Sequence, residues 1–226
     1  NLESGLARLA NPFNQIIHRR RQNSIKGSKK NILAHYDLSN DFYQLWLDST
    51  MTYSCGVFLN DDSSMKEASI EKIDRFCRKL KLTKDDKVLE IGTGWGSFAL
   101  HAAKNYGCHV TTTTISDNQF SYVSDLIRKE NLLSQITLLN SDYRELEGSF
   151  DKIVSIEMIE AVGPEHVSGF FNKVSSLLRP SGLMALQGIT YNDPDFEAYK
   201  NSVDFIKKYI FPGGCLVSVS QIKDAI

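Results

Sequence analysis

Glu90, Gly92, Gly94 and Gly96 stand at alternate positions in the run Lys-Val-Leu-Glu-Ile-Gly-Thr-Gly-Trp-Gly-Ser (87–97). Glycines at that spacing let a backbone bend sharply and lie against a ligand with no Cβ in the way. A turn of this kind that opens a helix also offers free N–H groups. The acid two residues ahead of the first glycine can face an amine. The spacing differs from the G-x-G-x-x-G of dinucleotide binders. A plain tight connection would use the same glycines, but the acid and the alternate spacing favour a nucleotide-type ligand.

Other residues with chemical potential are scattered. Thr52-Tyr53-Ser54-Cys55 reads as a loop carrying a hydroxyl and a thiol. Cys55 is either a site residue or an ordinary small buried one. Glu157 and Glu160 follow an apolar run, where they serve either a site or a helix start, whose dipole favours acids. His35 heads a polar, aromatic-rich stretch and either contacts a ligand or positions the loop. The four cysteines (55, 77, 108, 215) form no C-x-x-C pair and show no zinc spacing, so no metal site is expected.

The elements that must position these groups follow from periodicity. Val88, Leu89 and Ile91 make a buried strand over 87–92, and a helix covers about 96–105. Strands at 108–115, 136–140, 151–157 and 183–190 alternate with helices at about 117–131 and 164–178. This is a doubly wound parallel sheet with its ligand crevice at the carboxyl ends of the strands. Ser64-x-x-Glu67 is a capping box for a helix to about Leu80, with Ile70, Ile73, Phe76, Cys77 and Leu80 inward. Phe42, Leu45 and Trp46, at helical spacing, read as core. The division expected is an N-terminal helical arm and cofactor-covering segment (1–60) and a Rossmann-like domain (61–226).

At 226 residues, 42% hydrophobic and 23% charged, the chain has ordinary globular composition. No apolar run approaches the ~18 residues of a membrane span. Reduced thiols and the lack of a signal-like segment suggest the cytoplasm. The net charge of −1 conceals an asymmetry: residues 1–30 hold seven basic side chains against Glu3 alone, a net of +6, which leaves −7 for the rest. In that arm Leu2, Leu6, Leu9, Phe13, Ile16 and Ile17 recur at helical intervals. A packed helix, a membrane-surface element and a nucleic-acid contact are all open readings of it.

Glu-x-Gly-x-Gly-x-Gly resembles motif I of the Rossmann-like methyltransferases that bind S-adenosylmethionine. Further stretches narrow the resemblance: His-Tyr-Asp-Leu-Ser-Asn-Asp-Phe-Tyr (35–43), Met-Thr-Tyr-Ser-Cys (51–55), Thr-Ile-Ser-Asp-Asn-Gln (114–119), Asp-Tyr-Arg (142–144), Glu-Ala-Val-Gly-Pro (160–164) and Tyr-Ile-Phe-Pro-Gly-Gly-Cys-Leu (209–216). In that order, over about 30–216, the chain is similar to the cyclopropane-fatty-acid and mycolic acid cyclopropane synthases. The resemblance implies an α/β fold with a class I methyltransferase sheet and an N-terminal helical extension. Because such a sheet has seven strands, the chain is expected to be cut short at its C-terminus, and Asn1 without a Met suggests a trimmed N-terminus.

The resemblance further implies S-adenosylmethionine-dependent transfer of a one-carbon unit to the cis double bond of a phospholipid acyl chain. It assigns cofactor contacts to Tyr53, Ser54, Glu90, Gly92, Gly94, Gly96, Thr114, Gln119 and Tyr143. It assigns a bicarbonate base and its neighbourhood to Cys55, Glu160, Gln187 and Ile189. Implied partners are an anionic phospholipid surface on the inner face of the membrane, and a homodimer is allowed. No nucleic acid is expected, because Glu-Met-Ile-Glu (157–160) stands where nucleic-acid methyltransferases carry an Asn/Asp-Pro-Pro-Tyr/Phe motif. Two departures stand out. Ala161 replaces a usual His, and Gln187 replaces a His and cannot carry a proton. They leave ring closure and plain methylation both open. Rival readings are a methyltransferase of the same fold with a soluble substrate, and a non-catalytic lipid- or nucleic-acid-binding module.

Overall fold

Five parallel strands, β1 (Lys87–Ile91), β2 (His109–Thr114), β3 (Ile136–Asn140), β4 (Phe150–Ile156) and β5 (Leu178–Gln187), lie in the order β3-β2-β1-β4-β5. The computed structural model describes residues 23–36 and 39–226. The amphipathic segment and arginine cluster of the N-terminal arm, and Asp37 and Leu38 of the 35–43 motif, lie outside them. The helices are α1 (Ile25–Tyr36), α2 (Asn40–Gln44), α3 (Met65–Leu80), α4 (Ser97–Tyr106), α5 (Asp117–Lys129), α6 (Val167–Leu177), α7 (Phe196–Lys200) and α8 (Val219–Ala225). A short parallel pair, β6 (Thr190–Tyr191) and β7 (Val217–Ser218), stands apart from the main sheet.

The chain divides into two compact units. The first, the sheet unit, comprises Leu38–Ile156 and Val174–Gln187 and holds all five strands. Its core joins Val88, Val110, Ile136 and Val154 of the strands to Ile73, Cys77 and Leu80 of α3, and to Phe98, Ala99 and Ala102 of α4. Both neighbours of β1 are strands: Glu90 registers with Thr112 on one side and Val154 on the other. A central strand of a parallel sheet is covered on both faces, so its side chains are buried whatever their polarity. The strand order reverses beside β1, and at such a switch point the carboxyl ends leave a crevice.

Helix α3 starts at the expected capping box, Ser64 Oγ accepting from Glu67 N and Glu67 Oε2 from Ser64 N. It buries Ile73, Cys77 and Leu80 but exposes Ile70, and Lys72 lies on its buried face instead. The aromatic expectation for α2 inverts in a similar way. Tyr43 is the buried ring, whereas Phe42 and Trp46 are half exposed and Leu45 is 82% exposed. The helix is five residues long and turns one ring inward, so helical spacing over 42–46 does not define a core face. Strand β5 begins at Leu178, ahead of the expected 183. Leu178 pairs with Phe150, and the register slips before Lys152 meets Leu183.

The described residues of the second unit, the acid-loop unit, are 23–36, 157–173 and 188–226. It contains α1, β6, β7, α7, α8 and the short turns Ile159–Ala161 and Pro164–His166. Its interior is stitched by polar side chains. Asn23 Nδ2 donates to Gly213 O (2.8 Å), and Asn31 Nδ2 donates to Asn23 Oδ1 (2.9 Å). His35 Nδ1 donates to Ile210 O at 2.7 Å, while its ring meets Phe211 edge-on. Burial lowers the His35 pKa, which suits a neutral, donating imidazole. His35 therefore positions the 210–215 turn.

Candidate active site

The glycine loop is built as its sequence requires. Gly92, Gly94 and Gly96 have φ of 101°, 54° and 88°, values that residues with a Cβ rarely adopt. Gly92 N and Thr93 N donate to Thr113 O, and Gly96 N closes the turn on Thr93 O. A Cβ at Gly96 would press on Leu100 and Val123 at 3.0 and 3.1 Å, so that glycine is needed for packing. A Cβ at Gly94 would meet nothing within 4 Å: the space in front of this residue is open. Helix α4 begins here with no side-chain cap, which leaves its first N–H groups to a ligand.

Behind the loop, Glu90 is buried and accepts from Thr112 Oγ1 at 2.5 Å, and Thr112 Oγ1 lies 2.6 Å from Thr93 Oγ1. Burial pushes the Glu90 carboxyl up to about 8, against the hydrogen bond from Thr112 and the charge of Lys72, which lower it. At the end of β2, Thr114 Oγ1 donates to Gln119 Oε1 (2.8 Å), and Ser116 caps α5 through Gln119 N. Tyr143 sits on the turn after β3 with the Arg144 guanidinium over its ring. Asp142 anchors that turn, accepting from Arg144 N, Nε and Nη2. Desolvation raises the Tyr143 pKa.

Residues 39–58 pack on the glycine loop and on α3 within the sheet unit. Trp95 of the glycine loop packs on Tyr43 (4.7 Å between ring centres) and reaches Tyr53 (6.4 Å), and Trp46 stands edge-on to Tyr53. Trp95 Nε1 donates to Asn40 Oδ1 at 2.9 Å. Ser54 Oγ accepts from Lys72 Nζ and from Gln187 Nε2, both at 3.0 Å, and Gln187 Nε2 also approaches Cys55 Sγ at 3.3 Å. The structure thus brings Ser54, Cys55 and Gln187 together. Met51, buried just ahead of Thr52, has φ of 53°, a strained value of the kind often held at functional segments.

Glu160 and Ile189 are brought together in the acid-loop unit. Ile189 N donates to Glu160 Oε1 at 2.5 Å, and Cys215 N donates to Glu160 O at 2.9 Å. The other carboxylate oxygen, Oε2, is buried with no hydrogen-bond partner. Burial raises the Glu160 pKa, opposed by the Ile189 N–H and reinforced by Glu157. Gly188 leaves room for Ile159, whose Cγ2 would lie 2.7 Å from any Cβ there. Glu157, at φ 50°, turns the chain from β4 into this loop.

Sequence reasoning missed Lys72, the Tyr43–Trp95–Asn40 contacts and the Asn23–Asn31 pair. Lys72 was detectable as a charged residue one position before Ile73 and four before Phe76, in the apolar stripe of α3. The Asn contacts span 8 and 190 residues, and no local pattern announces the longer one.

A parallel sheet of this order, with an acid on β1 and a positive-φ glycine turn after it, defines the Rossmann-like fold of the S-adenosylmethionine-dependent methyltransferases. The residues fit the cofactor: the open space before Gly94, the uncapped start of α4 and the buried acid suit a ligand with an amine and a ribose. Residues 23–226 match the mycolic acid cyclopropane synthetase family, and the chain belongs to it. It is 37% identical over 210 residues to a probable fatty acid methyltransferase of Pseudomonas putida, covering 92% of this chain and 53% of that one. It is 40% identical over 188 residues to the cyclopropane-fatty-acyl-phospholipid synthase of Escherichia coli K12, covering 83% and 47%. The chain thus spans about half the length of these two relatives. Mycolic acid cyclopropane synthase CmaA1, solved with SAH and CTAB, superposes with a TM-score of 0.81 at 35% identity, covering 87% of this chain and 72% of that one.

Proposed function

We propose that the protein is an S-adenosylmethionine-dependent methyltransferase that adds one carbon to the cis double bond of an unsaturated phospholipid acyl chain. The observation that carries this reading is Glu160 Oε2, a buried carboxylate oxygen without a partner. Such an atom is costly unless something is to be held there. When bound, the cofactor supplies a methyl group on a sulfonium. The glycine loop with Glu90 would hold its amine end, Thr114 and Gln119 its ribose and adenine side, Tyr143 the adenine, and Tyr53 and Ser54 its outer side.

An alkylated double bond is cationic, so its surroundings must be dry and must tolerate positive charge. Aromatic faces such as Tyr53 attract cations. Glu160 Oε2 is the atom for the proton that the alkylated chain loses, taken directly or through bicarbonate. Bicarbonate suits this position because its O–H can donate to Oε2. The Ile189 N–H is engaged by Oε1 of the same carboxylate. Gln187 orients Ser54 and Cys55 as a hydrogen-bond donor and takes no proton. The basic N-terminal arm would bring the protein to anionic headgroups. Among the described residues no helix is long and apolar enough to cross a membrane.

The test is incubation of the protein with S-adenosylmethionine and liposomes of anionic, monounsaturated phospholipid, with acyl masses read by mass spectrometry. A gain of one methylene unit is expected, and hydrogenation then separates a ring or saturated branch from an alkene. Cofactor binding with no mass gain would redirect the reading to a soluble substrate. Absence of cofactor binding would sink it.

A further inference from the structure

The turn Ile206–Ile210 faces the wrong way for an amphipathic segment. Ile206, Tyr209 and Ile210 are exposed, whereas Lys207 is buried. A lysine is almost never fully buried unless paired. Lys207 Nζ donates to Tyr199 O (2.5 Å) and to Ser202 O (3.1 Å), and it stands 3.5 Å from the centre of the Tyr199 ring. Tyr191 stacks on the same ring at 4.0 Å and an angle of 11°. The stack leaves no room between the two rings, so the ammonium takes the other face. Tyr199, on α7, is thus gripped between Tyr191 and Lys207.

The Tyr199 hydroxyl reaches a third element: Leu216 N donates to Tyr199 Oη at 3.2 Å. Tyr191 ends β6 and Leu216 leads into β7, and both strands start beside the two donors of Glu160. Ile189, whose N–H meets Oε1, directly precedes β6. Cys215, whose N–H meets the Glu160 carbonyl, lies two residues before β7. A parallel pair with two residues per strand makes few hydrogen bonds of its own. Tyr199 adds a tie between one strand and the approach to the other.

We propose that Tyr199, braced by Lys207, is a positioning residue for Glu160, clamping together the two segments whose N–H groups seat that acid. Sliding β6 against β7 would pull Ile189 and Cys215 apart and unseat Glu160. Tyr199 resists that movement through its ring on the β6 side and its hydroxyl on the β7 side. Its effect on turnover rests on the base role proposed above for Glu160; its effect on the two N–H groups does not.

The experiment compares the whole chain with Tyr199→Phe and Lys207→Met. Tyr199→Phe keeps both ring contacts and deletes only the acceptor of Leu216 N, whereas Lys207→Met deletes the brace and leaves that acceptor. Amide exchange is followed by NMR of 15N-labelled protein, and kcat and KM are measured on liposomes of anionic, monounsaturated phospholipid. In Tyr199→Phe the amides of Leu216, Cys215 and Ile189 are expected to exchange about tenfold faster, the weight of one hydrogen bond. Those of β1 and β2 should keep their wild-type rates. Turnover (kcat) should fall about 10–100-fold, the cost of a small misplacement, with KM for lipid and SAH affinity unchanged. Lys207→Met should repeat the pattern; if it does not fold, the near-isosteric Tyr199→Phe carries the test. Faster exchange at Leu216 alone, or equally across the acid-loop unit, overturns the proposal, because Tyr199 is then a local or a general fold contact. Faster exchange at Ile189 and Cys215 with kcat unchanged upholds the clamp and overturns Glu160 as the base.

Discussion

The two units make their sites in opposite ways. In the sheet unit the glycine loop is one continuous stretch, with Glu90 supplied by β1, three glycines by the turn and free N–H groups by α4. In the acid-loop unit nothing is continuous: Glu160 is held by Ile189 and Cys215, 29 and 55 positions along the chain. The Gly213 turn that precedes Cys215 is held in turn by Asn23. A binding cradle can be written locally because backbone geometry supplies it. The seat of Glu160 cannot, because the donors that hold it arrive from far along the chain. Separate construction implies separate failure, and that is open to test.

The largest expected effect is at Glu160. Replacing it with Gln keeps the shape and the Ile189 contact but removes the oxygen pair that can take a proton. Under the proposed reaction, with Glu160 as its base, turnover of acyl chains should fall by about 10²–10⁴-fold, the usual worth of a general base. SAH affinity should stay at the wild-type value. A parallel loss of SAH binding would show that the two units do not fail separately.

Two glycine substitutions sharpen the contrast inside the sheet unit. Gly94→Ala puts a Cβ into open space, so the free protein is destabilised only by left-handed strain of about 1–2 kcal/mol. That Cβ would stand in the space proposed for the cofactor, and SAH affinity should fall more than tenfold. Gly96→Ala adds contacts at 3.0 and 3.1 Å with Leu100 and Val123, so thermal stability should drop further, by about 1–3 kcal/mol of overpacking. Calorimetry and thermal melts on both variants separate a ligand-facing glycine from a packing one. Equal melting losses would contradict that assignment.

The legibility of the chain follows the same division. Apolar or β-branched runs and glycines marked β1, β2, β4 and the turn after β1, because each depends on neighbours in sequence. Lys72 fell in the apolar stripe of α3, where helical periodicity gives its position but not its partners. Trp46 and Leu45 read as core and are exposed, because α2 is too short for periodicity to define a buried side. The partner of Glu160 Oε1 is a backbone N–H, a group every non-proline residue has, so no residue type at 189 could announce it. The Asn23–Gly213 bond joins positions 190 residues apart, out of reach of any local pattern.

The buried carboxyls give each unit the same pH sense. Glu90 is raised in the fold from an ordinary 4.5 to about 8, so its contribution to stability is fully present below pH 4.5 and is lost as pH rises through about 8. Glu160 is raised too and adds a slope of the same sign. The free protein should therefore lose melting temperature between pH 5 and 9. Glu90→Gln, which does not titrate, should flatten much of that decline and leave the part due to Glu160. An unchanged slope would mean that Glu90 is ionised at little cost in the folded protein.

The smallest effect tests where the sheet unit stops being a site. Ser64 caps α3 by accepting from Glu67 N, and Glu67 answers by accepting from Ser64 N, which holds its carboxyl below the usual range. Ser64→Ala should cost about 1 kcal/mol, or a melting shift of about 2–4 °C for a chain of this size. Fraying of this end reaches the first turn, whereas Ser69 and Lys72, which hold Asp48 and Ser54, lie five and eight residues in. SAH affinity should therefore remain at the wild-type value while the melting point falls. If both fall together, the seat of the covering segment begins at the cap itself, and Ala68, whose carbonyl takes Val57 N, becomes the contact through which it fails.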